Sequence, residues 1–296
     1  MPTPTATFKL PDGRSLDVWY DDAPESRGLV PLVFHAGTPG SGLGFDEFTE
    51  AARRRGLRLV SWSRPGYGSS TRQPGRRVAD VAADTAAVLD HLGVREVYVA
   101  GHSGGGPHAL ACAALMPDSV LGTALIAGVA PWEAEGLDFL EGMGAENHDE
   151  FGAALRSEGE LADYLAPLRA EILAMSGPEV GAMFRDLVDD VDRAALTGEY
   201  AQFVADQMRE GQRGSFAGWL DDDIAFTRPW GFDLDEIRGI VHVWQGAHDR
   251  MVPFAHGEWL VEHLGNACAH LHPEHGHMSL AVAGFPAILD ALVNGT

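Results

Sequence analysis

The sequence predicts an α/β fold: a mostly parallel central sheet covered by helices, with a helical cap inserted between two stretches of core. Three observations carry this expectation. Short β-branched runs alternate with segments of helical period, the pattern of strands joined through crossover helices. One such strand ends in a serine flanked by glycines and leads straight into a helix. Residues 131–232 are rich in helix formers and lack β alternation. The core is therefore assigned to residues 1–130 and 233–296, and the cap to 131–232.

Taken in order, Thr7 to Leu10 and Ser15 to Tyr20 read as strands around Pro11-Asp12-Gly13-Arg14, a hairpin signal. Leu29 to His35 is a buried strand candidate that runs into a glycine-proline loop. Phe45 to Arg55 looks helical, and Leu57 to Trp62 is the next strand. From Arg77 to Leu92, apolar residues recur at Val78, Val81, Ala82, Val88 and Leu89 with helical spacing. A strand from Val97 leads into the serine segment, a helix covers Pro107 to Leu115, and a strand covers Val120 to Ala127. After the cap, Gly239 to Gln245 resumes the strand pattern. A helix at Phe254 to Leu264, a short strand at Ala267 to His272 and a helix at Ser279 to Val293 close the chain. Active sites in such sheets gather at the carboxyl ends of strands.

Composition narrows the function classes. The net charge is −22, and Lys9 is the only lysine among 21 basic residues. So acidic a chain lacks the basic footprint that nucleic acid requires, and anionic membranes are disfavoured for the same reason. Between residues 131 and 232 there are 22 acidic and 7 basic residues, a net of −15. The cap thus carries most of the excess charge, either as a solvated surface or as a field that repels anions at a pocket mouth. No uninterrupted apolar run is long enough to span a bilayer. The N-terminal residues Met1 to Thr7 lack the basic and apolar regions of a secretory signal, so a cytoplasmic location is expected. Cys112 and Cys268 make no disulfide framework, and Cys112 is expected to be a small buried hydrophobe.

The segment Gly101-His102-Ser103-Gly104-Gly105 has the G-x-S-x-G form of a nucleophile elbow, in which a strand turns sharply into a helix and presents the serine hydroxyl. A side chain two positions before or after Ser103 would collide across so tight a turn. Pro107 falls in the first turn of the following helix, where a missing N–H costs least. A serine becomes nucleophilic only when a base takes its proton, and the base needs a third group to orient it. Asp249 follows the strand at Val241 to Gln245 and is the acid candidate. The other position open to an acid, after Ala127, offers no carboxylate. His277, immediately before the final helix, is the base candidate, with His275 the alternative. His272, His275 and His277 show no strand or helix ligand spacing and the two cysteines complete no finger, so no metal is expected. Gly104 would supply one backbone N–H to an oxyanion, and the loop His35 to Ser41 the other.

That loop resembles the His-Gly-x-Pro loop of the α/β-hydrolase superfamily, with Ala36 standing where the pattern has histidine. Ser63-Arg64-Pro65-Gly66-Tyr67-Gly68 is similar to a second recurrent loop of the superfamily, with Ser63 in place of the usual aspartate. The likeness covers about residues 29–128 and 232–293 in order. It implies that the second N–H belongs to Thr38, with Gly37 the alternative. It also implies a cap-bearing serine hydrolase of esterase or proline iminopeptidase-like character that needs no cofactor. Serine at the elbow disfavours haloalkane dehalogenases and epoxide hydrolases, which place aspartate there. Iminopeptidases show Gly-Gly-Ser-Trp-Gly, whereas Gly104 follows the serine here. The expectation is a hydrolase of small neutral or hydrophobic esters or lactones, acting on a small-molecule substrate under the cap. An iminopeptidase-like aminopeptidase and a carbon–carbon bond hydrolase are the alternatives.

Overall fold

The computed structural model describes residues 4–295. Eight strands form one sheet: β1 (Ala6–Lys9), β2 (Ser15–Tyr20), β3 (Val30–His35), β4 (Leu57–Trp62), β5 (Val97–His102), β6 (Val120–Ile126), β7 (Val241–Gly246) and β8 (Ala267–His272). Their spatial order is β1-β2-β4-β3-β5-β6-β7-β8. The β1–β2 hairpin and the β2–β4 pair are antiparallel, and every other pair is parallel. From β3 the chain moves first to β4 on one side and then to β5 on the other. The resulting crevice at the carboxyl ends of β3 and β5 is where such sheets bind ligands.

The core helices are α1 (Asp46–Arg53), α2 (Val81–Leu92), α3 (Gly106–Leu115), α10 (Phe254–His263) and α11 (His277–Asn294). Strands that are buried on both faces read as continuous apolar runs, which is why β3, β5 and β6 stand out in the sequence. Buried residues form two clusters, one containing Leu32, Ile126 and Phe285 and the other Val33, Val99 and Leu110. The alternation of Leu32 and Val33 between the clusters is the strand period at work. The 18 residues of α11 have a mean hydropathy of 1.3, enough by length and composition alone to cross a bilayer. Phe285, Ile288, Leu289 and Leu292 are instead buried in the protein, as expected of a core helix.

Between β6 and β7 the chain forms α4 (Ala145–Arg156), α5 (Glu158–Ala174), α6 (Val180–Met183), α7 (Asp190–Ala195), α8 (Gly198–Gly211) and α9 (Ala217–Phe226). No strand interrupts them among the described residues, as the missing β alternation predicts. Most element limits fall within a few residues of the sequence expectation. The last helix starts at His277 rather than Ser279, because acceptors outside the helix satisfy its first N–H groups.

Candidate active site

The elbow has the geometry its glycines require. A Cβ on Gly101 would lie 2.2 Å from the Gly105 carbonyl oxygen, and one on Gly105 would lie 2.0 Å from that of His35. Ser103, at the start of the turn, has φ 55°, in the left-handed region that a side chain rarely adopts. Gly104 follows it at the head of a helical segment, where backbone N–H groups have no partner one turn back.

Asp249 and His277 meet. The Nδ1–H of His277 donates to Asp249 Oδ2 at 2.7 Å, which leaves Nε2 of the neutral ring as the acceptor. The carboxylate is held on every side. Its Oδ1 accepts the N–H groups of Met251 (2.9 Å) and Val252 (2.7 Å), and its Oδ2 also accepts Gln245 Nε2 at 3.1 Å. Burial favours the uncharged His277 ring, but Asp249 and, behind it, Asp192 outweigh burial and raise its pKa above the usual 6.5. The elbow packs against this pair, with the rings of His102 and His277 4.7 Å apart. Burial and the neighbouring His277 push His102 down to about 3, so it is neutral.

The loop after β3 closes the other side. A Cβ on Gly37 would lie 3.1 Å from Ser103 Cβ, and one on Gly104 would lie 2.5 Å from Thr38 Oγ1. Thr38, Ser103 and Gly104 thus line one cavity of about 130 Å³, joined on the insert side by Phe151, Phe184, Met208, Trp219 and Phe226. Of the insert aromatics, Tyr164 also reaches this cavity, whereas others pack away from it. Trp132 and Phe139 pack on each other at 4.6 Å, and Phe203 stacks on Phe45 at 4.8 Å.

Two polar residues of the cavity wall carry no motif in the sequence. Glu150 accepts Trp219 Nε1 at 2.7 Å, and its carboxyl faces that of Asp223, which is 1% exposed. Burial and then Glu150 push the Asp223 pKa well above its ordinary value, and burial raises that of Glu150 too. Glu146, also on the wall, is raised by burial and by Asp186.

The remaining histidines lie elsewhere. His270 stacks on Trp244 at 3.9 Å and meets His242 at 3.1 Å, while His275 packs edge-on against His272. Ligand-type atoms of His242, Cys268 and His270 approach within 4.8 Å of one another, as do those of His272, Glu274 and His275. Cys112 is buried as expected, its thiol pushed up to about 12 by burial.

Comparison with known proteins matches residues 30–282 to the family described as alpha/beta hydrolase fold. The chain is 33% identical to a non-heme chloroperoxidase of Streptomyces lividans, over 84% of each chain. It is 27% identical to a 2-hydroxy-6-oxononadienedioate/2-hydroxy-6-oxononatrienedioate hydrolase of Paraburkholderia phymatum, covering 93% of this chain and 91% of that one. An esterase structure from Exiguobacterium antarcticum superposes with a TM-score of 0.66 at 19% identity, covering 100% of this chain and 99% of that one. The sequence reading anticipates the esterase and carbon–carbon hydrolase relatives but not the haloperoxidases. With an elbow serine, a buried Asp–His pair and a switch-point crevice in the expected order along the sheet, the chain belongs to the α/β-hydrolase fold family.

Proposed function

We propose that the protein is a serine hydrolase that cleaves small neutral or hydrophobic esters or lactones through an acyl-enzyme. The observation that carries this reading is the buried 2.7 Å Asp249–His277 contact beside an elbow that holds Ser103 in a left-handed turn at the cavity. In this reading His277 Nε2 takes the Ser103 proton as Oγ attacks the carbonyl carbon. The N–H groups of Thr38 and Gly104 bind the oxyanion, and Asp249 holds the imidazolium. The tetrahedral intermediate collapses as His277 protonates the leaving oxygen, and water, deprotonated by His277, clears the acyl group from Ser103. No step requires a cofactor. A cavity near 130 Å³ resembles in size those that admit a benzene-sized ligand, which favours a small acyl group.

The wall chemistry orders the alternatives. Glu146 and the Glu150–Asp223 pair repel an anionic substrate, and the cation on this wall, Arg185, is already engaged by Glu171 at 3.0 Å and Glu146 at 3.8 Å. This disfavours a dioate such as the one in the name of the Paraburkholderia relative. The Glu150–Asp223 pair favours, as a second reading, a substrate with an amino group near its acyl carbon, as in an aminopeptidase.

Labelling with a fluorophosphonate tests the mechanism: Ser103 takes the label and Ser103→Ala neither labels nor hydrolyses. Retained hydrolysis in Ser103→Ala would sink it. A panel of neutral, amino-bearing and carboxylate-bearing esters, a proline anilide and chloride oxidation with hydrogen peroxide then separates the substrate classes. Neutral esters turning over fastest supports the main reading, whereas the anilide doing so supports the second.

A further inference from the structure

We propose that the helical insert completes the reaction apparatus through two buried aspartates. Asp192 is a positioning residue for His277, and Asp222, together with Arg64, is one for Thr38. The inference rests on the hydrolase reading above, but the contacts that carry it are independent of the substrate.

Asp192 belongs to α7 and is fully buried. Its Oδ2 accepts the N–H of His277 at 2.8 Å, and its Oδ1 accepts those of Met278 at 2.9 Å and Ser279 at 2.8 Å. The first N–H groups of a helix have no partner within it, and negative charge there is favourable. One carboxylate from the insert therefore starts α11 at His277, 85 residues away in sequence, and fixes the direction in which that side chain leaves the backbone. A Cβ on Gly276 would lie 2.6 Å from both carboxylate oxygens, so the approach leaves no spare room. The groups facing His277 are Asp249, Asp192 and the neutral His102. Both carboxylates favour the imidazolium that forms when the ring takes a proton.

Asp222 belongs to α9 and is likewise fully buried. Its Oδ2 accepts Thr38 Oγ1 at 2.8 Å, Arg64 Nη2 at 2.6 Å and the Tyr67 hydroxyl at 2.8 Å, and its Oδ1 meets Arg76 at 2.6 Å. Arg64 Nη2 also donates to Thr38 Oγ1 at 3.2 Å, while its Nη1 donates to the Ala36 carbonyl at 2.5 Å. The Thr38 hydroxyl is thus both donor and acceptor inside the network, which leaves its backbone N–H as the group directed at an oxyanion. Arg64 grips the loop on both sides of Gly37, the residue that touches Ser103. Burial and Arg64 push His108 down to about 3, and burial pushes Tyr67 up, so both are neutral. The guanidinium groups of Arg64 and Arg76 both meet this one carboxylate behind the loop.

The test begins with fluorophosphonate labelling of the wild type and then compares kcat, KM and the pH profile of kcat/KM across variants on one neutral ester. Thr38→Val keeps the N–H and loses the tether; kcat should fall roughly ten- to a hundredfold with KM within about twofold, the scale of a small misplacement. Thr38→Ser should recover most of the loss. Arg64→Lys should behave like Thr38→Val, because an ammonium cannot span both contacts. Asp192→Asn should lower kcat and move the acid limb of the profile down by roughly half to one pH unit, since a charge that favours the imidazolium is gone. Asp192→Ser replaces it should the asparagine variant not fold. If the wild type is not labelled at Ser103, the hydrolase reading falls and this inference falls with it. If it is labelled but Thr38→Val and Arg64→Lys keep wild-type kcat, the role of Asp222 is overturned. A labelled wild type with an unmoved acid limb and unchanged kcat in the Asp192 variant overturns that of Asp192.

Discussion

At the scale of single residues, charge burial decides most of what is unusual. His277 is the base only when neutral, and its folded pKa lies above 6.5. As pH falls through that value the ring protonates, so kcat/KM should drop on the acid side with an apparent pKa above 6.5, read from a pH–rate profile. Asp223 shows the opposite problem, a carboxyl whose pKa burial and Glu150 raise. Its folded pKa exceeds its unfolded one, so the stability linked to it is complete below about pH 4 and is lost as pH rises toward the folded value. Asp223→Asn removes that loss. The variant should be more stable than the wild type by a margin that grows from acid to neutral pH, with Tm rising roughly 2–4 °C for each kcal/mol of linked stability recovered. Thermal melts at three pH values would decide it, and a constant gap would rule out a raised Asp223 pKa.

At the scale of elements, short-range signals were legible and long-range ones were not. Strands β3 to β7 and the elbow announce themselves because each is a local pattern, an apolar run or a glycine-flanked serine. Asp249 and His277 could be found because each stands at a fixed place relative to a strand or helix. Asp192, Asp222, Glu150 and Asp223 lie among 22 acidic residues of the insert, and nothing nearby marks them. What distinguishes them is burial against partners far away in the chain, such as Thr38, 184 residues from Asp222. The sequence alone puts the start of α11 two residues late for the same reason, since its N-terminal acceptor comes from α7. The tight elbow makes a firm prediction at this scale. In Gly105→Ala the new Cβ would sit 2.0 Å from the His35 carbonyl oxygen and 2.9 Å from that of Ala36. It must push β3 away from α3, a displacement that should cost about 3 kcal/mol or more in chemical denaturation. Gly265→Ala, where the Cβ meets nothing within 4 Å, should change stability little.

At the scale of the whole molecule, charge is distributed unevenly over one connected structure. The insert holds a net of −15 out of −22; of the charges it buries against the core, Asp221 and Asp222 are matched by Arg72, Arg64 and Arg76, while Asp192 is held by backbone N–H groups. Glu146, Glu150 and Asp223 line the cavity with Ser103, while most of the insert's other carboxylates are exposed. Their field is long-ranged only when salt is low: the screening length is about 30 Å at 0.01 M and about 8 Å at 0.15 M. The buried wall pair is screened far less, so salt separates the two contributions. For an amino-bearing ester, kcat/KM should fall as salt rises over this range if the surface field draws the substrate in. A neutral ester should be indifferent to salt, and a carboxylate-bearing ester should improve. Preference for the amino-bearing ester that persists at high salt would assign selection to Glu150 and Asp223. Equal salt dependence for all three esters would mean that the acidic insert serves solubility and takes no part in choosing the substrate.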